Sequence, residues 1–408
     1  MTCGWRTVAS LALALLMSIP LPSEAEAAPA SACDALSAAV GDGVGPVFVA
    51  SFPTAPAGPL HGSAFLYDNA VAAIALSGCG DTAKARRIGD AIRYALDHDR
   101  FWHDGRLRNA YAAGTPGPGD VKLPGWWDAD RNQWLEDRYQ VASDTGNMAW
   151  AMLALMALDK AAPGAGYRDA AATIGRWIAG RQDSRGAGGF TGGTFGHEPA
   201  PTAISWKSTE HNTDLAAAFG LLATATGGPE WHDLAAAATS FVRAMWADDR
   251  GAFVTGTGDD GVATNPMLAL DAQVWPLLAL PDAIRRYDVI GRTIEASLAV
   301  GDGVAYGPVR DGVWTEGTAQ AALLDRLAGQ QDKARRRLSA LAPQRLPDGS
   351  YLATSTASLP TGFVLATDPS KPRLYFRLPH LAATAWVALA ESGFNPFTAT
   401  RSLPKPRS

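Results

Sequence analysis

The sequence predicts an all-α (α/α)6 toroid: six helical hairpins closed into a ring, with an inner and an outer layer of helices. Three observations predict it. Apolar periodicity along the chain is helical almost throughout, and Ala-rich. The helices alternate in kind, one apolar on all sides and the next amphipathic and charged. The all-apolar helices begin near Asp68, Asp144, Glu210, Asp271, Glu316 and His380, a degenerate repeat whose spacing runs from 45 residues (271 to 316) to 76 (68 to 144).

Taken in order, the pattern predicts helices over 64–78, 81–98, 144–160, 166–181, 210–226, 230–247, 268–280, 282–299, 316–329, 331–342 and 380–392, with a short one over 33–40. Runs such as Asn147 to Met156 and Ala319 to Leu324 are apolar on every side and belong in the inner layer. Runs such as Lys84 to Arg93, Asp282 to Tyr287 and Gln331 to Arg337 carry charge on one face and belong in the outer layer. Short links, including Gly78 to Asp81, make hairpin partners antiparallel. The returns from outer to inner helix, 99–143, 182–209, 248–267 and 343–379, are long and rich in Gly, Pro and Trp. All emerge at one end, where long loops on a rigid scaffold build a site. Strand-like alternation is expected only in short loop pieces. No linker divides the chain, so one domain is expected over 31–400, with a tail over 401–408.

The composition narrows the class. Of 408 residues, 47% are hydrophobic and 18% charged, the formal net charge is -5, and no Lys/Arg run dominates. Nucleic acid and anionic membrane surfaces are therefore not expected partners. Residues 1–30 read as a signal peptide: Arg6, an apolar run from Val8 to Pro20 too short to span a bilayer, then small-residue sites at Ala25-Glu26-Ala27 and Ala28-Pro29-Ala30. The expected location is periplasmic or secreted, with no stable membrane span after cleavage. Cleavage would leave Cys33 and Cys79, which in an oxidising compartment are expected to form a disulfide.

The polar residues gather at the starts of the inner helices. These read Tyr67-Asp68-Asn69, Asp144 with Asn147, Glu210-His211-Asn212 with Asp214, Asp271 with Gln273 and Trp275, Glu316 with Gln320, and His380. Any one acid is an ordinary first-turn residue favoured by the helix dipole. Five acids on helices buried on all other sides exceed what capping requires, because burying carboxylates is costly. Trp127, Tyr139, Trp206, Trp275 and Trp314 fall at the same end, whereas Trp150, Trp177, Trp246 and Trp386 read as core. Indole faces beside carboxylates and amides suit a sugar ring, so carbohydrate is the expected partner. No cofactor is expected: Gly186 to Gly193 lacks the Lys of a phosphate loop, and no Gly-x-Ser-x-Gly elbow occurs. No metal site is expected, since His197, His211 and His380 lack ligand spacing and no Cys lies near.

The segments Phe65 to Asn69, Trp206 to Asp214, Leu270 to Trp275, Val313 to Thr318, Pro379 to Trp386 and Gly393 to Phe397 resemble the six-hairpin, (α/α)6-toroid glycosidase superfamily. The resemblance covers nearly all of 31–400 and implies an exported glycoside hydrolase acting on a polysaccharide or oligosaccharide. It implies two carboxyl groups flanking the scissile bond, with inversion the common outcome, hence a separation of roughly 6.5–9.5 Å. On this reading Glu210 is the general acid and Asp144 or Glu316 the base. Asp68 and Asp271 hold hydroxyls. The superfamily's lyases and epimerases are the alternative, with His211, Tyr139 or Arg138 as base and neutraliser; a non-catalytic glycan-binding protein is a third.

Overall fold

The computed structural model describes residues 1–3, 30–365 and 368–404, without the side chains of 362–369. The expected signal peptide lies almost wholly outside these residues, as does the end of the tail. Thirteen helices occur among the described residues: α1 Ala32–Val40, α2 Leu66–Cys79, α3 Thr82–Asp97, α4 Thr145–Ala161, α5 Tyr167–Ala179, α6 Thr209–Thr226, α7 Pro229–Ala244, α8 Asp271–Ala279, α9 Ala283–Arg286, α10 Ile290–Ser297, α11 Thr315–Leu327, α12 Gln331–Ala340 and α13 Leu381–Ser392.

The inner layer is α2, α4, α6, α8, α11 and α13. Each packs on the next, and α13 returns to α2, so the ring closes as expected. These helices are buried on nearly all sides, which their uniform apolarity requires. The outer helices bury one stripe. On α3 it is Ala85, Ile88, Gly89, Ala91, Ile92, Ala95 and Leu96, spaced as a 3.6-residue period demands. A Cβ on Gly89 would lie 2.2 Å from Leu158 Cδ1, so glycine is what lets α3 approach α4 this closely. The sixth outer helix comes from the other end of the chain: α1 packs on α13 and α2. The disulfide Cys33–Cys79 ties it there, across 46 residues.

Chain signals set the ends of the elements. Ser208 caps α6 by accepting from His211 N, and Gly227, in the left-handed region, ends it. Pro229 opens α7 at a position where its missing N–H costs nothing.

Two expectations need correction. The helix predicted over 282–299 is broken into α9 and α10, and the break buries Tyr287 against Trp246 and Phe253, with centroids 4.6 and 4.7 Å away. The return 343–379 is more than irregular loop. Ser358–Leu365 and Asp368–Phe376 form an antiparallel hairpin, the longest strands among the described residues. Pro360 and Pro372 break the alternation that would have marked it, and both are tolerated because each strand has a free edge.

The disulfide closes the ring by fixing α1, and the chain-entropy argument gives a loop of this length about 4 kcal/mol at most. Cys79→Ser should lower the free energy of unfolding by about 2–4 kcal/mol in urea titrations. An unchanged midpoint would show that α1 holds without it. Unreduced, unfolded full-length protein should titrate one thiol, Cys3.

Candidate active site at the mouth of the ring

Counting α8 from Leu270, whose dihedrals are already helical, puts all six inner helices in register. Their second residues are then Tyr67, Gly146, Glu210, Asp271, Glu316 and Ala382. One turn deeper, the sixth residues are Val71, Trp150, Asp214, Trp275, Gln320 and Trp386. Side chains four apart stack on one helix face, so each set forms a layer facing the ring axis. The deeper layer is a floor. Trp150, Trp275 and Trp386 meet with centroids 5.2, 5.7 and 6.0 Å apart, and Phe397 packs 5.2 Å from Trp150. Above the floor sit the carboxyl groups.

Glu316 is the most closely held. Tyr67 donates its hydroxyl to Glu316 Oε1 in a short hydrogen bond, and Trp386 Nε1 donates to the Tyr67 oxygen at 2.8 Å. Gln320 donates to the same carboxylate at 3.3 Å. His380 Nδ1 lies 4.0 Å from Glu316 Oε2, while its Nε2 is 3.1 Å from Asp68. Burial raises Glu316 to about 7, although His380 and Tyr67 pull it down. Burial disfavours the His380 cation, but Asp68 outweighs it and the net shift is upward.

Glu210 and Asp271 form a second group. Burial, and then the Asp271 charge, push Glu210 well above the usual carboxylate range. Asp271 rises only to about 6, because a backbone N–H from Ala272 and a hydrogen bond from Glu210 offset its burial. The charge of one carboxyl disfavours that of the other, and Glu210 is the one pushed further up. Asp144 is raised to about 7 by burial, against Asn109 and Arg373. It begins α4 without a side-chain capping bond. Buried Asp214 has no hydrogen-bond partner among the described residues, and burial plus the charges of Glu210 and Asp271 hold it neutral.

Other expected residues also gather here. Asn147 donates to Asn109 and to the Tyr139 hydroxyl, at 2.8 and 3.1 Å. Half-buried His211 tilts against Trp206, centroids 5.5 Å apart. Its ring fills the space left by Gly146, where a Cβ would lie 2.3 Å away. Burial lowers His211 to about 4, so it is neutral near pH 7. Buried Arg108 locks the loop that presents Tyr139, bonding Asp99 at 2.6 Å, Glu198 at 2.8 Å and Val141 O at 3.0 Å.

The structure moves five expected residues out of the sugar-contacting set. Trp275 and Trp314 are 2% and 1% exposed and offer no face to a ligand. Trp275 belongs to the floor; Trp314 packs on Tyr306 and Tyr375, 5.1 and 5.4 Å away. Asn212 and Gln273 are fully buried and spend their amides on backbone. Asn212 brackets Phe190 through both its N–H and C=O, at 2.8 and 3.1 Å; Gln273 brackets Phe253 at 2.8 and 2.8 Å. Asn69, Thr318 and Thr384, each also fourth in an inner helix, hold Val49, Val304 and Tyr351. The amides are therefore loop clamps, explained by the cost of leaving a buried backbone group unpaired. Trp127 is 58% exposed on the hairpin 126–135, directly opposite Trp134. Among the described residues no hydrogen bond or ring contact joins it to the acids.

The sequence reading missed three residues. Tyr306 lies by the acids, and Arg373 and Tyr375 reach them from the hairpin 358–376; all three interact electrostatically with Glu210. Among the described residues no three His, Cys, Asp or Glu side chains are placed to hold a metal ion. No helix there is long and apolar enough to cross a membrane.

Known structures share this fold. A glycosidase carrying a Glu-to-Ala substitution superposes with a TM-score of 0.58 at 16% identity, over 89% of this chain and 96% of its own. The fold is the six-hairpin toroid. An alpha-amylase from Clostridium perfringens matches at 0.58 and 8% identity, over 90% and 96%. Cellobiose 2-epimerase from Bacillus thermoamylovorans matches at 0.58 and 10% identity, over 88% and 95%. No protein-family model matches the sequence, and no curated protein does.

The raised acids give stability a definite pH dependence. A carboxyl whose folded pKa lies above its unfolded value stabilises the fold while protonated, and that contribution is lost as pH rises through the folded pKa. Asp271, Asp144 and Glu316, at about 6, 7 and 7, start the loss at the ordinary carboxylate range and complete it near neutrality; Glu210 adds to it and His211 opposes it. Unfolding free energy from urea titrations should fall between about pH 4 and pH 7, and Asp144→Asn should flatten the fall. A flat wild-type profile would contradict this electrostatic account.

Proposed function

We propose that the protein is a glycoside hydrolase, with Glu210 as general acid and Glu316 as general base. The observation that carries the reading is the different surroundings of two carboxyl groups at one level of the ring, one beside a second carboxyl and one among hydrogen-bond donors. Glu210 is pushed up beside Asp271, while Glu316 sits among groups that favour its anion: the Tyr67 hydroxyl, the Gln320 amide and the His380 cation. Glycoside hydrolysis needs this asymmetry. Glu210 gives its proton to the glycosidic oxygen as the bond to the anomeric carbon breaks. Glu316 takes a proton from water, whose oxygen bonds to that carbon. Asp144, also raised to about 7, is the second choice of base.

The half-buried Trp206 gives the sugar a stacking face beside Glu210, and Tyr139 and Asn147 supply polar contacts to hydroxyls. The glycosidase and alpha-amylase neighbours support the class, and another variant of that glycosidase was solved with glucose. We further propose an exported protein, on the strength of the apolar run Val8 to Pro20 and the small-residue sites after it. The epimerase reading has one observation in its favour: His211, neutral at pH 7, lies beside the acids and can act as a proton-abstracting base.

Glu210→Gln keeps the shape and removes the proton, so kcat should fall by about 10²–10⁴-fold without loss of folding. Product analysis by NMR on a panel of oligosaccharides checks the class as well. A new reducing end of inverted configuration is expected. An epimerised sugar with no cleavage would transfer the site to the second reading, and full activity in Glu210→Gln would remove that residue from the acid role.

A further inference from the structure

The hairpin 358–376 carries a cation into the cavity. On its second strand Tyr375 packs against Trp314 and Tyr306, centroids 5.4 and 6.1 Å away. Residues two apart on a strand share a face, so Arg373 projects to the same side. Its Cζ lies 5.2 Å from the ring centroid of Tyr139, which the loop 99–143 supplies. Arg373 is surrounded by protein yet open to the water of the cavity: it acts on Asp144, Glu210, Tyr139, Tyr306 and Tyr375, and its surface remains accessible. Among the described residues no carboxylate lies within ion-pair distance of it, whereas Arg100, Arg106, Arg108 and Arg337 all have one. A guanidinium presents its donors as a planar fork that matches an oxyanion with two oxygens.

Counting formal charges, the cavity looks hostile to anions. Burial works against that charge: it pushes Glu210 and Asp214 well above the usual carboxylate range, Asp271 to about 6, and Asp144 and Glu316 to about 7. Asp68 is offset by His380. Arg373 is left as the group without a counter-charge.

We propose that Arg373 is the specificity residue of the sugar site, and that the sugar bound there carries an acidic substituent whose oxyanion pairs with its guanidinium. This rests on the reading of the cavity as a sugar site, not on the assignment of hydrolysis. A carboxylate and a phosphate satisfy the same fork, and the test separates them.

The test is isothermal titration calorimetry of the full chain at about pH 6 with glucose, glucuronate, galacturonate and glucose 6-phosphate. At least one acidic sugar should bind about tenfold or more tightly than glucose, as a charge-assisted bidentate contact implies. Arg373→Gln should abolish the preference, and Arg373→Lys should restore part of it. A uronate preference names a carboxylate, a glucose 6-phosphate preference a phosphate. Equal binding of glucose and all three acids by the wild type overturns the proposal, as does no binding, or a preference that survives Arg373→Gln. So does a variant that shifts only the pH profile of activity, because Arg373 would then merely tune the acids. Binding needs no turnover, so the outcomes separate from those for hydrolysis. Cleavage of neutral glycans without a preference for acids sinks this proposal alone; Arg373-dependent binding without cleavage sinks only the hydrolase reading.

Discussion

Six helices arranged around one axis cannot pack to a point, and the hole they leave must be filled. Here the filling is indole: Trp150, Trp275 and Trp386 meet across the axis one turn below the mouth, with Phe397 beneath. Small side chains do the opposite job on the remaining faces of the inner helices, where Ala70, Ala73, Ala149, Ala218 and Ala383 let neighbours close up. The ring therefore has a solid floor and an open top. That floor defines the depth of the cavity and the dielectric its acids experience. A carboxyl above three indoles is poorly solvated, and Asp144, Glu210, Asp271 and Glu316 are raised primarily by burial.

The floor also ties the chemistry to the frame. Trp386 donates to the Tyr67 hydroxyl, and Tyr67 donates to Glu316, so a core residue fixes the direction of a proton at the carboxylate proposed as base. On the outer side of the same turn, the fourth residue of five inner helices brackets the backbone of the segment before it. In α4 the equivalent is Met148, whose sulfur accepts from Leu107 N at 3.3 Å. Second and fourth residues thus divide the labour. The second faces the axis and is free to carry chemistry; the fourth faces the loop and holds it at a fixed height. The acids are precise in position because the turn that bears them is pinned from both sides.

This division explains what the sequence could and could not reveal. Layering was legible because burial on all sides leaves a composition: α4 reads Met, Ala, Trp and Leu through its length, and α3 alternates charge with Ala and Ile. The acids were legible because carboxylates are out of place in such helices. The amides beside them were misread, since Asn212 and Gln273 look the same whether they hold a sugar or a peptide group; only their fourth-position register separates the two. Trp314 was misread for a related reason: it stands at a loop–helix junction but faces the hairpin. Arg373 left no local signal at all. It lies in a strand interrupted by Pro372, and its position in the cavity depends on Tyr375 packing on Trp314 and Tyr306, contacts far apart in the chain.

A cavity's charge is therefore not the sum of its formal charges. Five acidic helix starts suggest a strongly negative mouth that would repel an acidic sugar. Burial on the aromatic floor opposes that charge at every acid whose shift is resolved, and at Glu210 a neighbouring carboxyl adds to the effect. A guanidinium does not titrate in the range where these acids do, so the same burial cannot neutralise it. Placing one arginine among a set of reluctant acids yields a site that is less negative in mild acid than its sequence suggests. A carboxyl that holds its proton and a cation that holds its charge are then present in one cavity. This coincidence follows from the floor, since without the indoles the acids would ionise as they do in water and cancel the arginine.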